Sequence, residues 1–226
     1  YIFKTEVLMD LLARDDKPDF GKDILPGIVN SHKVMAYPYR RENKISDNIY
    51  YTDHDGVRRC RTVDALRDSQ YWRDVGTLDA YWNANMDLTG VDPYFNLYGV
   101  KWPIRTFQRQ YPPAKMVFGQ ESGGDIRAGR ALDSLVAHGS IISGGLVRNS
   151  VLSYNVYVHS WAAVEESVIM EGVVIGRYAQ IKKAIIAEGV TIPPHTKIGF
   201  NPKEDRSRFR VTSRGITVVT KKDFPG

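Results

Sequence analysis

The sequence predicts the carboxy-terminal part of an α/β sheet domain followed by a left-handed parallel β-helix of hexapeptide type, and three observations carry that prediction. First, four copies of one 17-residue unit lie end to end from Leu132 to Gly199, beginning at Leu132, Asn149, Glu166 and Lys183. Second, short strand-like and helix-like apolar runs alternate before residue 92. Third, Pro93, Pro103, Pro112 and Pro113 break up the stretch between them. The copies align as columns: Leu135, Leu152, Ile169, Ile186; then Ile141, Val158, Ile175, Ile192; then Val147, Val164, Ile181, Ile198. A fourth column, Ser134, Val151, Val168, Ile185, is nearly as regular. Inward aliphatics roughly six residues apart imply a coil of three short strands, stable only when stacked on its neighbours. Gly144, Gly145, Asn155, Gly172, Gly176 and Gly189 suit the tight corners between strands.

Taken in order, Tyr1 to Phe3 reads as a short strand. Thr5 caps a helix whose apolar face is Val7, Leu8, Leu11 and Leu12, ended by Arg14-Asp15-Asp16. Ile24, Leu25, Ile28 and Val29 form a second helical face, and Val34 to Tyr39 reads as an edge strand because Pro38 cannot donate to a ladder. From Arg40 to Gln70 the chain turns polar, which points to an inserted loop or hairpin with one short helix around Val63 to Arg67. Thr77 is placed to cap a helix from Leu78 to Leu88. The connector carries Tyr94, Phe95, Tyr98, Trp102, Phe107 and Tyr111, more aromatic surface than a free linker holds, so it is expected to pack along both domains. Glu121 to Arg130 reads as a Gly-rich loop into the first coil, Asn201 to Arg210 as a charged segment, and Gly215 to Thr220 as a last strand. The resulting division is residues 1–91, a connector at 92–131, and the β-helix at 132–226.

A chain of 226 residues with 42% hydrophobic content can hold one or two cores. Its net charge of +5, from 31 basic and 26 acidic residues, is compatible with anionic small molecules and too thin to argue for nucleic acid. One cysteine, Cys60, precludes an intrachain disulfide and fits a reducing compartment. No apolar run reaches the length of a membrane span and no signal peptide opens the chain, so the expectation is a cytoplasmic protein with no membrane partner. The start at Tyr-Ile-Phe reads as the middle of a buried strand, and the chain is expected to be a fragment.

The sharpest local signal is Trp72-Arg73-Asp74 followed by Gly76-Thr77. A carboxylate just ahead of a helix N-terminus can hold Mg²⁺, which takes one or two carboxylates together with substrate phosphates, and the positive helix end favours those phosphates. The alternative is that Asp74 belongs to the helix start as a cap or dipole partner. Asp19-Phe20-Gly21-Lys22-Asp23 pairs a carboxylate with an aromatic face, which suits a sugar; alternatively Asp19 is an N-cap and Phe20 a staple. His32, His54, His138, His159 and His195 have no metal-ligand spacing, and the three in the repeat read as corner decoration.

Asp19-Phe20-Gly21-Lys22-Asp23-Ile24-Leu25-Pro26, Tyr71 to Thr77, Trp102-Pro103-Ile104-Arg105-Thr106, Pro112-Pro113-Ala114-Lys115 and a terminal β-helix, in that order, resemble the bacterial ADP-glucose pyrophosphorylases (glucose-1-phosphate adenylyltransferases). The Trp-x-Asp-x-Gly-Thr element alone marks only the broader sugar nucleotidyltransferases; the connector motifs joined to a β-helix narrow it. The resemblance implies a homotetrameric, Mg²⁺-dependent enzyme that makes ADP-glucose and pyrophosphate from ATP and glucose 1-phosphate for glycogen synthesis. It implies that Asp74 is a catalytic, metal-binding aspartate and that Asp19, Phe20 and Trp72 line the glucose 1-phosphate pocket. Lys221 matches a basic contact for sugar-phosphate or nucleotide effectors, whereas Glu188 stands where relatives often carry Arg or Lys.

The Gly-rich nucleotide loop, a second metal-binding aspartate and a Glu-Lys-Pro sugar-phosphate segment that the resemblance implies have no counterpart here. Gly123 to Gly129 lacks the preceding strand that a phosphate cradle needs. This chain alone is therefore expected to be inactive. Two other classes compete: a noncatalytic assembly or regulatory scaffold, and a hexapeptide acyltransferase using a histidine base.

Overall fold

The computed structural model describes residues 1–14, 19–64, 66–105, 107, 109–122 and 125–224, in two compact units, Tyr1–Asn43 and Lys44–Gly226. In the first unit, α1 (Thr5–Arg14) precedes a π-helical turn (Phe20–Ile24) that runs into α2 (Leu25–Ile28); α3 (Tyr39–Glu42) closes it. Of the expected apolar face, Ile24 and Ile28 are buried and Leu25 is half-buried, whereas Val29 is exposed. Thr5 stands inside α1, because the carbonyl of Lys4 already accepts the Leu8 N–H. Asp15 and Asp16, read as the end of this helix, lie outside the described residues. The strands expected at 1–3 and 34–39 do not form: residues 1–3 and 34–38 have no regular secondary structure and join no ladder among the described residues, and Tyr39 is the first residue of α3. A strand needs a neighbour to satisfy its N–H and C=O groups, and Tyr1, Ile2, Met35 and Tyr37 are exposed.

The second unit opens with an antiparallel hairpin, β1 (Asp47–Thr52) and β2 (Arg58–Val63), as the polar insertion implied. The short helix expected near Val63 is displaced: β2 continues to Val63, and a 3₁₀ turn follows at Arg67–Gln70. Ala65, inside the expected helix, lies outside the described residues. Helix α4 (Leu78–Asp87) forms where expected, with the Thr77 hydroxyl accepting the Ala80 N–H at 3.1 Å. The first part of the connector runs through bends and a turn from residue 92 to 102, without helix. Buried Asp47 accepts N–H bonds from Val100 at 2.8 Å and Lys101 at 3.0 Å, which ties the hairpin base to it. Tyr71 stacks on Phe95 and tilts against Tyr94, and Tyr111 stacks on Tyr154 of the β-helix. Tyr98, Trp102 and Phe107 depart from the packing expectation and are largely exposed.

The β-helix is a three-sided prism with five parallel strands on each face. Its first layer is β3 (Lys115–Val117) and β6 (Arg130–Leu132), with a hairpin of β4 (Gly119–Ser122) and β5 (Asp125–Ala128) inserted at the corner between them. The hairpin replaces the expected Gly-rich loop, and Gly123 and Gly124 lie outside the described residues. Then come β7 (Leu135–Val136), β8 (Ile141–Ser143), β9 (Leu146–Arg148), β10 (Val151–Leu152), β11 (Tyr157–Val158) and β12 (Ala163–Glu165). The stack continues through β13 (Val168–Ile169), β14 (Val174–Ile175), β15 (Gln180–Lys182), β16 (Ala184–Ile186), β17 (Thr191–Ile192) and β18 (Lys197–Ile198). Helix α5 (Pro202–Arg208) and β19 (Arg210–Val211) precede β20 (Thr217–Val219), which lays the last rung beside β16. Leu152, Ile169, Ile186 and Val219 form one buried column, Val158, Ile175 and Ile192 the second, and Val147, Val164, Ile181 and Ile198 the third. Each such side chain contributes about 1.5–3 kcal/mol of burial.

The first copy of the repeat is one residue out of the expected register. Val136, not Leu135, pairs with Leu152, and Ile142, not Ile141, pairs with Val158. Ser134 therefore leaves the outer column and Leu135 takes its place beside Val151. The missing residue is at the corner after β8. There Gly144, at φ 71°, turns directly into Gly145, whereas later coils insert Trp161, Tyr178 and His195, each also at positive φ. Those three rings stack, with centroids 6.4 and 4.9 Å apart. In the first coil the space belongs to Arg127 of the inserted hairpin, whose Nη2 donates to the Ser160 hydroxyl at 3.0 Å. A β-carbon on Gly144 would lie 3.0 Å from the Arg127 Cγ.

A serine ladder, unforeseen in the sequence, runs up another edge. The hydroxyls of Ser134, Ser150 and Ser167 each accept the N–H of the residue one coil above, Ser150, Ser167 and Ala184, at 3.1 Å. Each also donates to the carbonyl two residues before it, at 2.6 to 2.7 Å. Helix α4 lies on the face of this prism bearing Val168 and Ile185, using Leu78, Tyr81, Trp82 and Met86. The Trp82 indole donates to the Glu166 carbonyl at 2.8 Å, and Asp79 accepts the Thr212 hydroxyl at 2.6 Å.

Ile175→Asp places an unpaired charge in a fully buried column. It is expected to lower the melting temperature sharply and broaden the transition; an unaltered melting curve would refute the column.

Candidate active site

The loop from Tyr71 to Thr77 is held at both ends. Tyr71 is wedged against Tyr94 and Phe95, and Thr77 caps α4. Between these anchors Trp72 stands 77% exposed. The Asp74 side chain folds back so that Oδ1 accepts the Gly76 N–H at 3.0 Å, and the residue is exposed. A β-carbon on Gly76 would meet that oxygen at 3.2 Å, so glycine gives the carboxylate room to make this turn. No donor among the described residues reaches Oδ2. The arrangement presents one hard oxygen beside the first turn of α4, whose unpaired N–H groups carry a partial positive charge. Asp74 is therefore not the cap of α4, which is Thr77; one of its oxygens shapes the turn ahead of the helix.

Asp19 and Phe20 stand in the first unit. Asp19 is the N-cap of the π-helical turn, its Oδ1 accepting from Gly21 at 2.9 Å and Lys22 at 2.8 Å. The Lys22 N–H foremost holds its carboxyl below the usual carboxylate value, against an opposing desolvation and with help from the Gly21 N–H and the Lys22 charge. The Phe20 ring stacks on Tyr1 and tilts against Phe3, with both centroids 5.5 Å away. Its partners are therefore the residues before α1, not a staple to the following helix.

Lys221 follows the last rung. Its Cε and Nζ lie where a β-carbon on Gly189 would come within 2.8 Å, so the cation rests over that corner. Gly189 is required twice, by this contact and by its φ of 62°. Glu188, next to it, is exposed. Sequence reasoning missed a second charged cluster. Arg109 of the connector donates to Glu171 at 2.8 Å, and the Tyr111 hydroxyl donates to the same oxygen at 2.9 Å. Residues so far apart in the chain leave no local signature. The histidines do not converge: His159 packs on Tyr157, His195 on Tyr178. Among the described residues no three His, Cys, Asp or Glu side chains form a metal-binding group. No described helix is long and apolar enough to cross a membrane.

Two family models match the sequence, nucleotidyl transferase over residues 1–90 and GlmU-like, C-terminal hexapeptide over residues 112–219. The chain is 45% identical over 226 residues to the glucose-1-phosphate adenylyltransferase of Koribacter versatilis (strain Ellin345), covering 98% of this chain and 48% of that protein. It is 46% identical over 225 residues to that of Paramagnetospirillum magneticum, covering 97% and 47%. It is 45% identical over 225 residues to that of Dechloromonas aromatica, covering 97% and 46%. The chain spans about half the length of the curated relatives it matches.

Because the folded value of the Asp19 carboxyl is lowered, the stability it lends the π-helical turn is present above the unfolded value and lost as pH falls through the folded one. In an NMR titration the Gly21 and Lys22 amides should shift together, with a midpoint below that of an ordinary aspartate. A midpoint at or above it would contradict the cap.

Proposed function

We propose that this chain, similar along nearly its whole length to glucose-1-phosphate adenylyltransferases, carries the sugar-phosphate and regulatory share of such an enzyme's reaction. The reaction joins glucose 1-phosphate to the adenylyl group of ATP. A phosphate oxygen of the sugar phosphate attacks the α-phosphorus, the bond to the β-phosphate oxygen breaks, and ADP-glucose and pyrophosphate result. In this reading residues 1–91 belong to the catalytic domain, 92–131 connect, and 132–226 regulate and assemble a cytoplasmic homotetramer. The supporting observation is the exposed Trp72–Asp74 loop, which immediately precedes the Thr77 cap of α4.

Mg²⁺ fits what Asp74 offers. A cation that keeps several waters and binds substrate phosphates needs one or two carboxylates from the protein, and Asp74 has Oδ2 free of donors among the described residues. When bound, the ion would neutralise charge on the phosphates. Asp74 would orient that charge, and the α4 N-terminus would add about 0.3–1 kcal/mol of favourable interaction with a phosphate. Asp19 would accept sugar hydroxyls through Oδ2, which faces the exposed Lys22 ammonium at 4.0 Å, its Oδ1 being held by the turn. Phe20 and Trp72 would supply apolar faces to the sugar ring. Lys221 would contact an anionic effector; the acidic Glu188 beside it argues for a weaker response than a basic residue there would give. The histidine placements give an acyltransferase no support, and no observation favours a noncatalytic scaffold.

The test is Mg²⁺-dependent ADP-glucose formation by this chain joined to the part of the Koribacter versatilis enzyme that it does not match. Asp74→Asn is expected to lower kcat by two or more orders of magnitude, on the order of 3 kcal/mol in barrier. Unchanged kinetics would remove the metal assignment. Asp19→Ala is expected to raise KM for glucose 1-phosphate more than KM for ATP; equal effects on both would count against a sugar contact.

A further inference from the structure

The loop that carries Trp72 and Asp74 has few bonds of its own. After it, Thr77 caps α4, and α4 is seated on the prism. Every residue from Trp72 to Gly76 is exposed. Among the described residues, the hydrogen bonds of this stretch are the Gly76 N–H to Asp74 Oδ1 and the Arg73 Nη1 to the Asn83 carbonyl, the latter at 3.5 Å. The first is internal to the loop, and the second stands at the limit of hydrogen-bonding distance. Where Asp74 points therefore depends on how Tyr71, the residue before the loop, is held.

The Tyr71 N–H closes the 3₁₀ turn on the Asp68 carbonyl at 2.8 Å, and its ring is held by the connector. The Phe95 ring stacks on it with centroids 4.6 Å apart and planes at 23°. Phe95 is half-buried, whereas Tyr94, Asn96, Leu97 and Tyr98 beside it are exposed. Two polar contacts flank the stack. Arg67 donates to the Asp92 carboxylate at 2.9 Å and to its carbonyl at 3.0 Å, and the Asn96 N–H reaches the Asp68 carboxylate at 3.2 Å. The Asp92 side chain is 84% exposed, and ion pairs so open to solvent add little. Stacked aromatic pairs contribute beyond the area they bury, so Phe95 is the main hold on the Tyr71 ring. Phe95 is itself placed by a connector fixed further along, where Asp47 accepts the Val100 and Lys101 N–H groups and Glu171 accepts from Arg109 and Tyr111.

We propose that Phe95 is a positioning residue for Asp74, acting through the Tyr71 ring to fix the direction in which residues 72–76 leave the 3₁₀ turn. What Asp74 does there rests on the function proposed above; the ordering of the loop by Phe95 does not.

Two measurements test this separately. In nitrogen NMR relaxation of the 226-residue chain, the amide order parameters of Trp72 to Val75 are expected near those of rigid backbone, about 0.85, and should fall below about 0.6 in Phe95→Ala. Phe95→Tyr preserves the stack and should keep the parent values. In the joined enzyme described above, Phe95→Ala should raise the Mg²⁺ concentration for half-maximal rate about tenfold, and Phe95→Tyr should restore it. Added to Asp74→Asn, Phe95→Ala should cost less than about twofold more, because residues acting as a unit are not additive. A loop already mobile in the parent, or equally ordered in Phe95→Ala, would overturn the proposal even with Asp74 established as a metal ligand. Losses that multiply in the double variant would also overturn it, since Phe95 would then act elsewhere. If Asp74→Asn alone leaves the kinetics unchanged, the metal assignment fails, and the order parameters by themselves uphold or overturn the role of Phe95.

Discussion

Everything in the larger unit rests on one constraint: a single coil of the β-helix cannot cover its own aliphatic side chains. Leu152 is buried only because Val136 lies below it and Ile169 above, and the same holds at every level. The stack must therefore be closed at its far end. The insertion of α5 and β19 serves this purpose, with Phe209 and Phe224 packed against the end of the core and buried Asp205 accepting the Gly199 N–H. Helix α4 uses the outside of the same rungs. The loop that presents Trp72 and Asp74 thus inherits its rigidity from a helix seated on the prism.

The β-helix was legible in the sequence because its signal is periodic. Three columns repeated at a fixed interval, and the structure places nearly all of those residues where the interval put them. The first copy failed by one residue because aliphatic neighbours such as Ile141 and Ile142 fit the column equally well. Only the backbone pairing decides between them, and the gap at Gly144 follows from a hairpin whose position a column cannot encode. The serine ladder was hidden for a different reason: Ser134, Ser150 and Ser167 read as polar corner residues until their hydroxyls are seen spanning successive coils.

The site was legible less evenly. Thr77 as the cap of α4 followed from residue type and position, and so did the N-cap alternative for Asp19. Phe20 stacking on Tyr1 and Phe3 did not, since contacts between non-helical neighbours have no period. The convergence of Arg109 and Tyr111 on Glu171 was equally invisible, because only the packing of the connector on the prism brings residues so far apart together.

The places where this solenoid departs from strict repetition share one property. The shortened turn at Gly144, the β4–β5 hairpin and the α5–β19 segment all fall at edges of the prism, none within a strand. The hairpin and the shortened turn even share an edge, so that an excursion in one layer is matched by a deletion in the next. A gain or loss inside a strand would rotate every later side chain from interior to surface, whereas one at an edge leaves the rungs above it aligned. The edges are thus the positions at which this architecture accepts new chain, two of the three being used in this way here, while the stack beneath stays in step.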